Sequence, residues 1–160
     1  VVFIEGEMLY NVKGEVPEGE HLVPIGKAEV KRAGSDVTLV CHSKTVTVAL
    51  KAAEQLAEEG ISAEVVDLRT IRPLDTETVL NSVGRTHRCV GGEAGWAFAG
   101  VGAQIVDVVQ LHAFDELDAP VLRVTGADVP MPYNKHLERA AKADPAKVIA
   151  AVKRVLYTGI

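Results

Sequence analysis

A cysteine and a histidine, Cys41 and His42, stand side by side at the end of a run rich in β-branched residues. A thiol and an imidazole can together form a nucleophile and its base. Adjacent residues on a strand point to opposite faces, however, so these two side chains cannot meet side to side. We therefore predict that Cys41 is a small buried apolar residue. We predict that His42 is a hydrogen-bonding residue at a strand end, with a catalytic role as the lesser alternative.

The segment 67–75 contains two acids, Asp67 and Asp75, and two arginines, Arg69 and Arg72. Arginine binds carboxylates and phosphates through two parallel hydrogen bonds. The segment could therefore hold an anionic ligand. The alternative that we favour is structural, with the arginines holding the two acids or backbone carbonyl groups.

The stretch from Gly100 to Ile105 resembles the start of a dinucleotide-binding fingerprint at the beginning of a helix. The third glycine of that fingerprint is absent, and the preceding strand ends too early to form the tight turn that delivers a pyrophosphate to the helix. We favour close helix packing as the reason for these glycines and keep nucleotide binding as the alternative.

Two further segments are rigid loops rather than reactive sites. Each of the segments 117–120 and 124–133 contains proline and one acid but no base, nucleophile or metal-binding cluster. The histidines lack the spacing of metal ligands: His21, His42, His87, His112 and His136. We predict no catalytic, cofactor-binding or metal-binding residue in this chain and expect the loops to form an interface.

The elements that position these residues alternate along the chain. We predict strands at 1–4, 27–32, 37–41, 63–68, 88–90 and 121–125, and helices at 46–57, 76–83, 100–113 and from Asp144 onward. Asp75 and Asp144 are expected to cap helices. Alternating strands and helices predict an α/β fold with three α/β/α layers and a mostly parallel sheet of about five strands. The strand at 27–32 alternates polar and apolar residues and is expected to be an antiparallel edge strand.

Composition excludes several classes of protein. Of the 160 residues, 48% are hydrophobic and 24% charged, as in ordinary globular domains. The formal charge of −5 argues against a nucleic-acid-binding surface. No apolar run approaches the length of a membrane span. The two cysteines predict neither a disulfide framework nor a zinc site.

The beginning of the chain predicts a domain boundary. The sequence opens on Val1 without an initiator methionine, and residues 5–24 are rich in Gly, Glu and Pro. We therefore expect a fragment that comprises the end of a preceding domain with a linker, residues 1–24, and a second domain, residues 25–160.

Five motifs occur in an order that resembles one family. They are Pro24-Ile25-Gly26-Lys27-Ala28, the segment 67–75, Glu93-Ala94-Gly95-Trp96, Leu117-Asp118-Ala119-Pro120, and the run from Arg123 to Tyr133. Together they resemble the C-terminal half of the beta subunit of the thiamine-dependent decarboxylating component of pyruvate dehydrogenase complexes. The chain departs from the family pattern at Gly91-Gly92, which should weaken the end of that strand.

This resemblance implies a transketolase C-terminal-type domain preceded, in residues 1–24, by the end of a thiamine-pyrimidine domain. It implies that thiamine diphosphate and Mg belong to the intact heterotetramer and bind outside this fragment, which is therefore expected to be inactive alone. The implied partners are an alpha subunit, a second beta subunit and the peripheral-subunit-binding domain of the dihydrolipoyl acetyltransferase. Asp118 and the C-terminal carboxylate of Ile160 are the implied docking residues.

The implied location is the mitochondrial matrix or the bacterial cytoplasm. Two alternatives stay open. One is a related branched-chain 2-oxo acid or other thiamine-dependent dehydrogenase, and the other is a stand-alone flavodoxin-like binding module that would use the stretch 100–105.

Overall fold

Five strands and five α-helices form the domain in the computed structural model, which describes residues 1–158. The strands are β1 (Glu29–Arg32), β2 (Val37–Cys41), β3 (Ala63–Asp67), β4 (Cys89–Trp96) and β5 (Leu122–Gly126). The helices are α1 (Lys44–Glu58), α2 (Thr76–Thr86), α3 (Val101–His112), α4 (Lys135–Ala141) and α5 (Pro145–Val155). Two short 3₁₀ helices lie at Glu7–Asn11 and Phe114–Glu116.

The strands form one sheet in the order β1-β3-β2-β4-β5. The pairs β2–β3, β2–β4 and β4–β5 are parallel, and β1 pairs antiparallel with β3 at the edge. The predicted mixed sheet and its antiparallel edge strand are therefore confirmed. β3 lies on one side of β2 and β4 lies on the other, so the direction in which the chain adds strands reverses between β2 and β4. Open α/β sheets bind ligands at the carboxyl ends of the strands at such a point.

Two apolar clusters lie on opposite faces of the sheet, because alternate side chains of a strand point to opposite sides. On β2, Leu39 packs into the cluster beneath α1 and α5, and Val40 packs into the cluster beneath α2 and α3. Every residue of β2 is buried, as its β-branched composition predicts. The three-layer α/β/α arrangement is thus confirmed.

Three local predictions differ from the structure. Residues 1–4 are exposed and form no strand. β4 continues to Trp96 instead of ending near Gly91-Gly92, although its regular pairing with both neighbours stops at Gly92. Helix α4 lies in a region where no helix or strand was predicted.

The helix caps agree with the prediction. The Asp75 carboxylate accepts a hydrogen bond from the Thr78 N–H at 3.2 Å, and the Asp144 carboxylate accepts one from the Lys147 N–H at 2.9 Å. None of the helices among residues 1–158 combines the length and the apolar character that crossing a lipid bilayer requires.

Candidate functional site

The residues singled out by the sequence lie at the two opposite ends of the strands, some at their carboxyl ends and one at their amino ends. His42 follows β2, Asp67 ends β3, and Glu93 follows Gly92, the last residue of β4 that pairs with β2, so the three lie near the same end of these parallel strands. Asp118 precedes β5 and lies at the other end, where its N–H donates to the His87 carbonyl at 2.9 Å. Asp118 and these three residues therefore lie at opposite ends of the strands.

Asp118 is half-exposed and already has a basic partner within the chain. The Arg88 guanidinium lies 3.0 Å from an Asp118 carboxylate oxygen, and the Arg88 Nε–H donates to the Val155 carbonyl at 3.2 Å. Exposed ion pairs of this kind contribute less than about 1 kcal/mol. The Asp118 carboxylate therefore stays open to solvent despite its ion pair with Arg88.

The predicted docking residue Ile160 lies outside the described residues. The end of the described chain is nevertheless close to Asp118, since the Tyr157 hydroxyl donates to the Asp118 carbonyl at 3.3 Å. The neighbouring 3₁₀ helix adds two acids, Asp115 and Glu116, so this edge carries several acids. The docking assignment of Asp118 and Ile160 stays a prediction.

The glycines at the start of α3 make room for a carboxylate of the same chain. The Gly102 N–H donates to a carboxylate oxygen of buried Glu93 at 3.2 Å. A β-carbon at Gly102 would lie 2.6 Å from the same oxygen, and one at Gly100 would lie 2.3 Å from the other. The predicted close packing is therefore confirmed, and the close neighbour is Glu93.

This arrangement does not fit a nucleotide or a diphosphate at the start of α3. A helix N-terminus attracts anions through its free N–H groups, but here the anion is the Glu93 carboxylate. A diphosphate at this point would meet a buried negative charge. No group of three metal-ligating side chains occurs within residues 1–158. The thiamine diphosphate and Mg expected of the intact complex therefore have no fit at this helix.

Cys41 and His42 do not form a reactive couple. Cys41 is 1% exposed, and its thiol donates to the Val66 carbonyl at 3.5 Å. Burial chiefly raises the pKa of the Cys41 thiol, which keeps it protonated and unreactive. Burial also lowers the pKa of His42 below its usual value, although the carboxylates of Glu93 and Asp67 oppose this effect. The prediction that Cys41 is a buried apolar residue is confirmed.

His42 differs from the prediction in one respect. It was expected to form hydrogen bonds at the strand end, and its backbone N–H does lie 3.3 Å from the Thr45 hydroxyl. Its ring Nε2 is buried and has no hydrogen-bond partner among the described residues.

The arginine-rich segment holds the edge strand in place. The Arg69 Nε–H donates to the Lys27 carbonyl at 3.0 Å, and the Arg69 guanidinium lies 3.3 Å from the Glu29 carboxylate. Asp75 accepts a hydrogen bond from the Ala28 N–H at 2.9 Å. The structural interpretation is confirmed for Arg69, because its side chain binds a backbone carbonyl as predicted. Its carboxylate partner is Glu29, and only its backbone N–H donates to Asp67, at 3.1 Å.

The carboxyl-edge loops expose large apolar side chains. Trp96 ends β4 and Phe98 follows it, and they are 52% and 85% exposed. Met131 and Tyr133 follow β5 and are 57% and 104% exposed. The Arg123 guanidinium donates to the Ala97 carbonyl at 2.8 Å and ties the first loop to β5. Exposed apolar groups on rigid loops are typical of protein–protein contacts.

Sequence reasoning missed the partners of two residues that organise these edges. Glu93 was read only as part of a motif, and Arg88 only as the beginning of a strand. The glycine pair at 100 and 102 was the available signal for Glu93, since glycine permits a close approach. Arg88 and Asp118 are 30 positions apart in the sequence, and nothing local connects them.

The sheet order, the two helical layers and the elements of residues 26–148 define the class of this protein. The chain belongs to the transketolase C-terminal domain family, whose model matches those residues. The expectation of a transketolase C-terminal-type fold is thereby confirmed.

Over nearly its whole length the chain is also similar to pyruvate dehydrogenase beta subunits. It is 52% identical to the mitochondrial pyruvate dehydrogenase E1 component subunit beta of Dictyostelium discoideum, over 97% of this chain and 45% of that protein. It is 50% identical to the mitochondrial counterpart of Caenorhabditis elegans, over 98% of this chain and 46% of that protein. The Rickettsia felis subunit is 48% identical, over 100% of this chain and 49% of that protein. The chain thus spans about half the length of these relatives, and the resemblance carried by the five motifs is confirmed.

Solved structures show the same fold. A split-gene transketolase, described as an inactive beta4 tetramer, superimposes with a TM-score of 0.76 at 28% identity, over 92% of this chain and 47% of that one. A 2-oxoglutarate:ferredoxin oxidoreductase from Magnetococcus marinus superimposes with a TM-score of 0.54 at 15% identity, over 81% of this chain and 19% of that one. The second likeness shows the fold alone.

Proposed function

We propose that this chain is the C-terminal assembly and docking domain of a pyruvate dehydrogenase beta subunit. The observation that carries the proposal is the identity of about half of all positions, over nearly the whole chain, with subunits of that name. The intact heterotetramer, with its alpha subunit and second beta subunit, would decarboxylate pyruvate and acetylate lipoyl groups of the acetyltransferase core. Residues 1–24 would be the end of the preceding thiamine-pyrimidine domain and its linker.

In this proposal the domain takes no part in the chemical reaction. Thiamine diphosphate and Mg bind elsewhere in the heterotetramer, and the chain alone is inactive. The location follows the relatives, of which two are named as mitochondrial and the Rickettsia protein carries no such designation. We therefore propose the mitochondrial matrix, with the bacterial cytoplasm as the alternative.

The proposed docking surface surrounds Asp118, and its occupant is the basic peripheral-subunit-binding domain of the acetyltransferase. The acids of this edge provide the complementary charge, and Asp118 gives up its ion pair with Arg88 when it pairs with a basic group of the partner. Charged pairs at the rim of an interface mainly set orientation, association rate and salt dependence.

Titration calorimetry with the peripheral-subunit-binding domain tests this proposal. Asp118→Ala should weaken binding about tenfold and reduce its salt dependence, because one charged contact is lost. Arg88→Gln should tighten binding, since Asp118 no longer has an internal competitor. Thiamine diphosphate with Mg²⁺, titrated in the same way, should give no binding heat.

Asp128→Ala is the matched control, because this exposed acid follows β5 at the opposite edge of the sheet. It should leave affinity and salt dependence unchanged. If Asp118→Ala behaves like this control, Asp118 does not belong to the docking surface. A binding heat with thiamine diphosphate would contradict the proposal that this cofactor binds elsewhere in the heterotetramer.

A further inference from the structure

A histidine, His87, lies within the acidic surface around Asp118. The Asp118 N–H donates to the His87 carbonyl at 2.9 Å, and the His87 ring nitrogen Nδ1 lies 2.8 Å from the Glu116 carbonyl oxygen. The His87 side chain is 44% exposed. A partner that docks at Asp118 therefore meets a group that can change its charge.

The His87 ring is held in one place by the backbone around it. His87 ends α2 in the left-handed conformation, with a φ of 57°, and its N–H donates to the Val83 carbonyl at 2.7 Å. Because a carbonyl oxygen can only accept, the contact with Glu116 requires a hydrogen on Nδ1. The neutral ring then has no hydrogen on Nε2, which is the nitrogen that takes up a proton in acid. Protonation therefore changes the charge of the ring without breaking this hydrogen bond.

Acids outnumber cations in the elements that meet at His87. Their charged side chains are Asp115 and Glu116 on the 3₁₀ helix, Asp118 before β5, Arg88 before β4 and Arg85 in the last turn of α2. Both arginines are paired with acids, Arg88 with Asp118 at 3.0 Å and Arg85 with buried Glu64 at 2.9 Å. The Glu116 carboxylate lies 3.7 Å from Nδ1 of His87. A proton on His87 would thus add a positive charge to a surface of negative charge.

We propose that His87 makes docking of the basic peripheral-subunit-binding domain pH-dependent, with docking strong when the imidazole is neutral and weaker when it is protonated. This inference rests on the proposed docking function and adds a form of regulation to the same surface. Histidine ordinarily changes its charge between about pH 5 and 8. Protonated His87 repels the cations of the partner and pairs with the Glu116 carboxylate that would otherwise attract them. Both effects disappear as the pH rises through this range.

Titration calorimetry with the peripheral-subunit-binding domain, from about pH 8 to about pH 5.5, tests the proposal. The dissociation constant of the wild type should rise by about three- to tenfold as the pH falls, as expected for one charge at a solvent-exposed contact. His87→Asn should show no such rise. Asparagine tolerates the left-handed conformation, and its amide can donate to the Glu116 carbonyl without taking up a proton. Wild-type affinity of this variant at about pH 8 would also show that it is folded.

The protons exchanged on docking give a second readout. Calorimetry at about pH 6.5, in buffers of different ionisation enthalpy, measures their number. The wild type should release a fraction of a proton, because docking of a cationic partner disfavours the charged imidazole. His87→Asn should release none.

His136→Asn is the matched control, since His136 is exposed on α4, which follows the carboxyl end of β5 at the opposite end of the strands. It should keep the pH dependence and the proton release of the wild type. The proposal is overturned if His87→Asn keeps them too, or if His136→Asn loses them. In either case, weaker binding by Asp118→Ala would show that the docking surface itself is correct. If the wild type binds at no pH, the proposed docking function is wrong, and this inference is wrong with it.

Discussion

At the scale of single residues, Glu93 explains the glycine pattern that resembled a nucleotide-binding motif. A helix N-terminus offers its free N–H groups to an anion. In this chain the anion is the carboxylate of Glu93, which is 4% exposed. The Arg123 guanidinium lies 3.9 Å away and adds a weak favourable charge. The same residue types therefore stabilise the loop between β4 and α3 instead of binding a ligand.

Gly102→Ala should destabilise the protein by about 1–3 kcal/mol, because an added methyl group in a filled space forces its neighbours to move. The new carbon would lie 2.6 Å from the Glu93 carboxylate and 3.0 Å from Arg123 Cδ. Gly84→Ala is the matched control, because a β-carbon on that residue of α2 meets nothing within 4 Å. It should stabilise the protein by about 0.5–1 kcal/mol through helix propensity. Urea unfolding measures both changes.

A double-mutant cycle with Glu93→Ala separates this contact from other effects of the alanine. Residues in contact show coupling energies, whereas independent sites add. Once the carboxylate is removed, Gly102→Ala should cost much less than it does in the wild type. Additive costs would show that Glu93 and Gly102 are not coupled.

At the scale of elements, Asp75 fixes both the start of α2 and the antiparallel edge strand. Its carboxylate accepts hydrogen bonds from the Thr78 N–H and hydroxyl and from the Ala28 N–H just before β1. Burial alone would raise the pKa of Asp75, but the hydrogen bonds from Ala28 and Thr78 outweigh it and lower the pKa below the usual value. The ionised form therefore stabilises the folded state.

The stability of the wild type should fall faster than that of Asp75→Asn as the pH drops below about 4. A carboxyl group with a lowered pKa in the folded state contributes its full stability above the unfolded pKa, and this contribution is lost as the pH falls through the folded pKa. The asparagine side chain is not ionisable, so the variant should be less stable at neutral pH and lose less on acidification. Equal acid sensitivity in urea unfolding curves would mean that Asp75 contributes nothing to the pH dependence.

Local sequence signals predicted most of the elements correctly. The wrong predictions concern features that depend on long-range contacts. The β-branched run of β2 and the caps at Asp75 and Asp144 were read correctly because each depends on residues within one turn or strand. The glycines of β4 pair with strands on both sides, and beyond them Trp96 pairs with Gly126 of β5, so long-range pairing overrides the low strand propensity of glycine. Helix α4 was not predicted because it is short and follows a proline-rich loop, although Asn134 caps it through two hydrogen bonds.

The candidate site was less predictable than the fold for the same reason. The acid at 118 was identified by resemblance, but its pairing with Arg88 depends on how the chain returns to the amino edge of the sheet. The contact of His87 with Glu116 joins residues that are 29 positions apart. Neither arrangement has a signature in consecutive residues.

At the scale of the whole molecule, the packed core lies entirely within the second predicted domain. Both apolar clusters are drawn from the elements β2 to α5 and their connections. In residues 1–24, only Gly6 and Leu9 are partly buried, and Val1, Val2 and Phe3 are each more than 80% exposed. The family match also begins after this segment, at residue 26. The linker and the preceding segment should therefore add little to the stability of this domain.

A chain that begins at Ile25 should keep the melting temperature within about 3 °C, which corresponds to less than about 1 kcal/mol for a domain of this size. A chain that begins at Glu29 is the matched comparison, because it also loses the hydrogen bonds from Gly26 N–H to the Thr70 hydroxyl at 3.1 Å and from Ala28 N–H to Asp75 at 2.9 Å. That loss leaves the buried Asp75 carboxylate short of a donor, so this shorter chain should melt several degrees lower. Calorimetric melting of all three chains decides the matter. A large drop already at Ile25 would place the domain boundary before residue 25 and would contradict the division at 24/25.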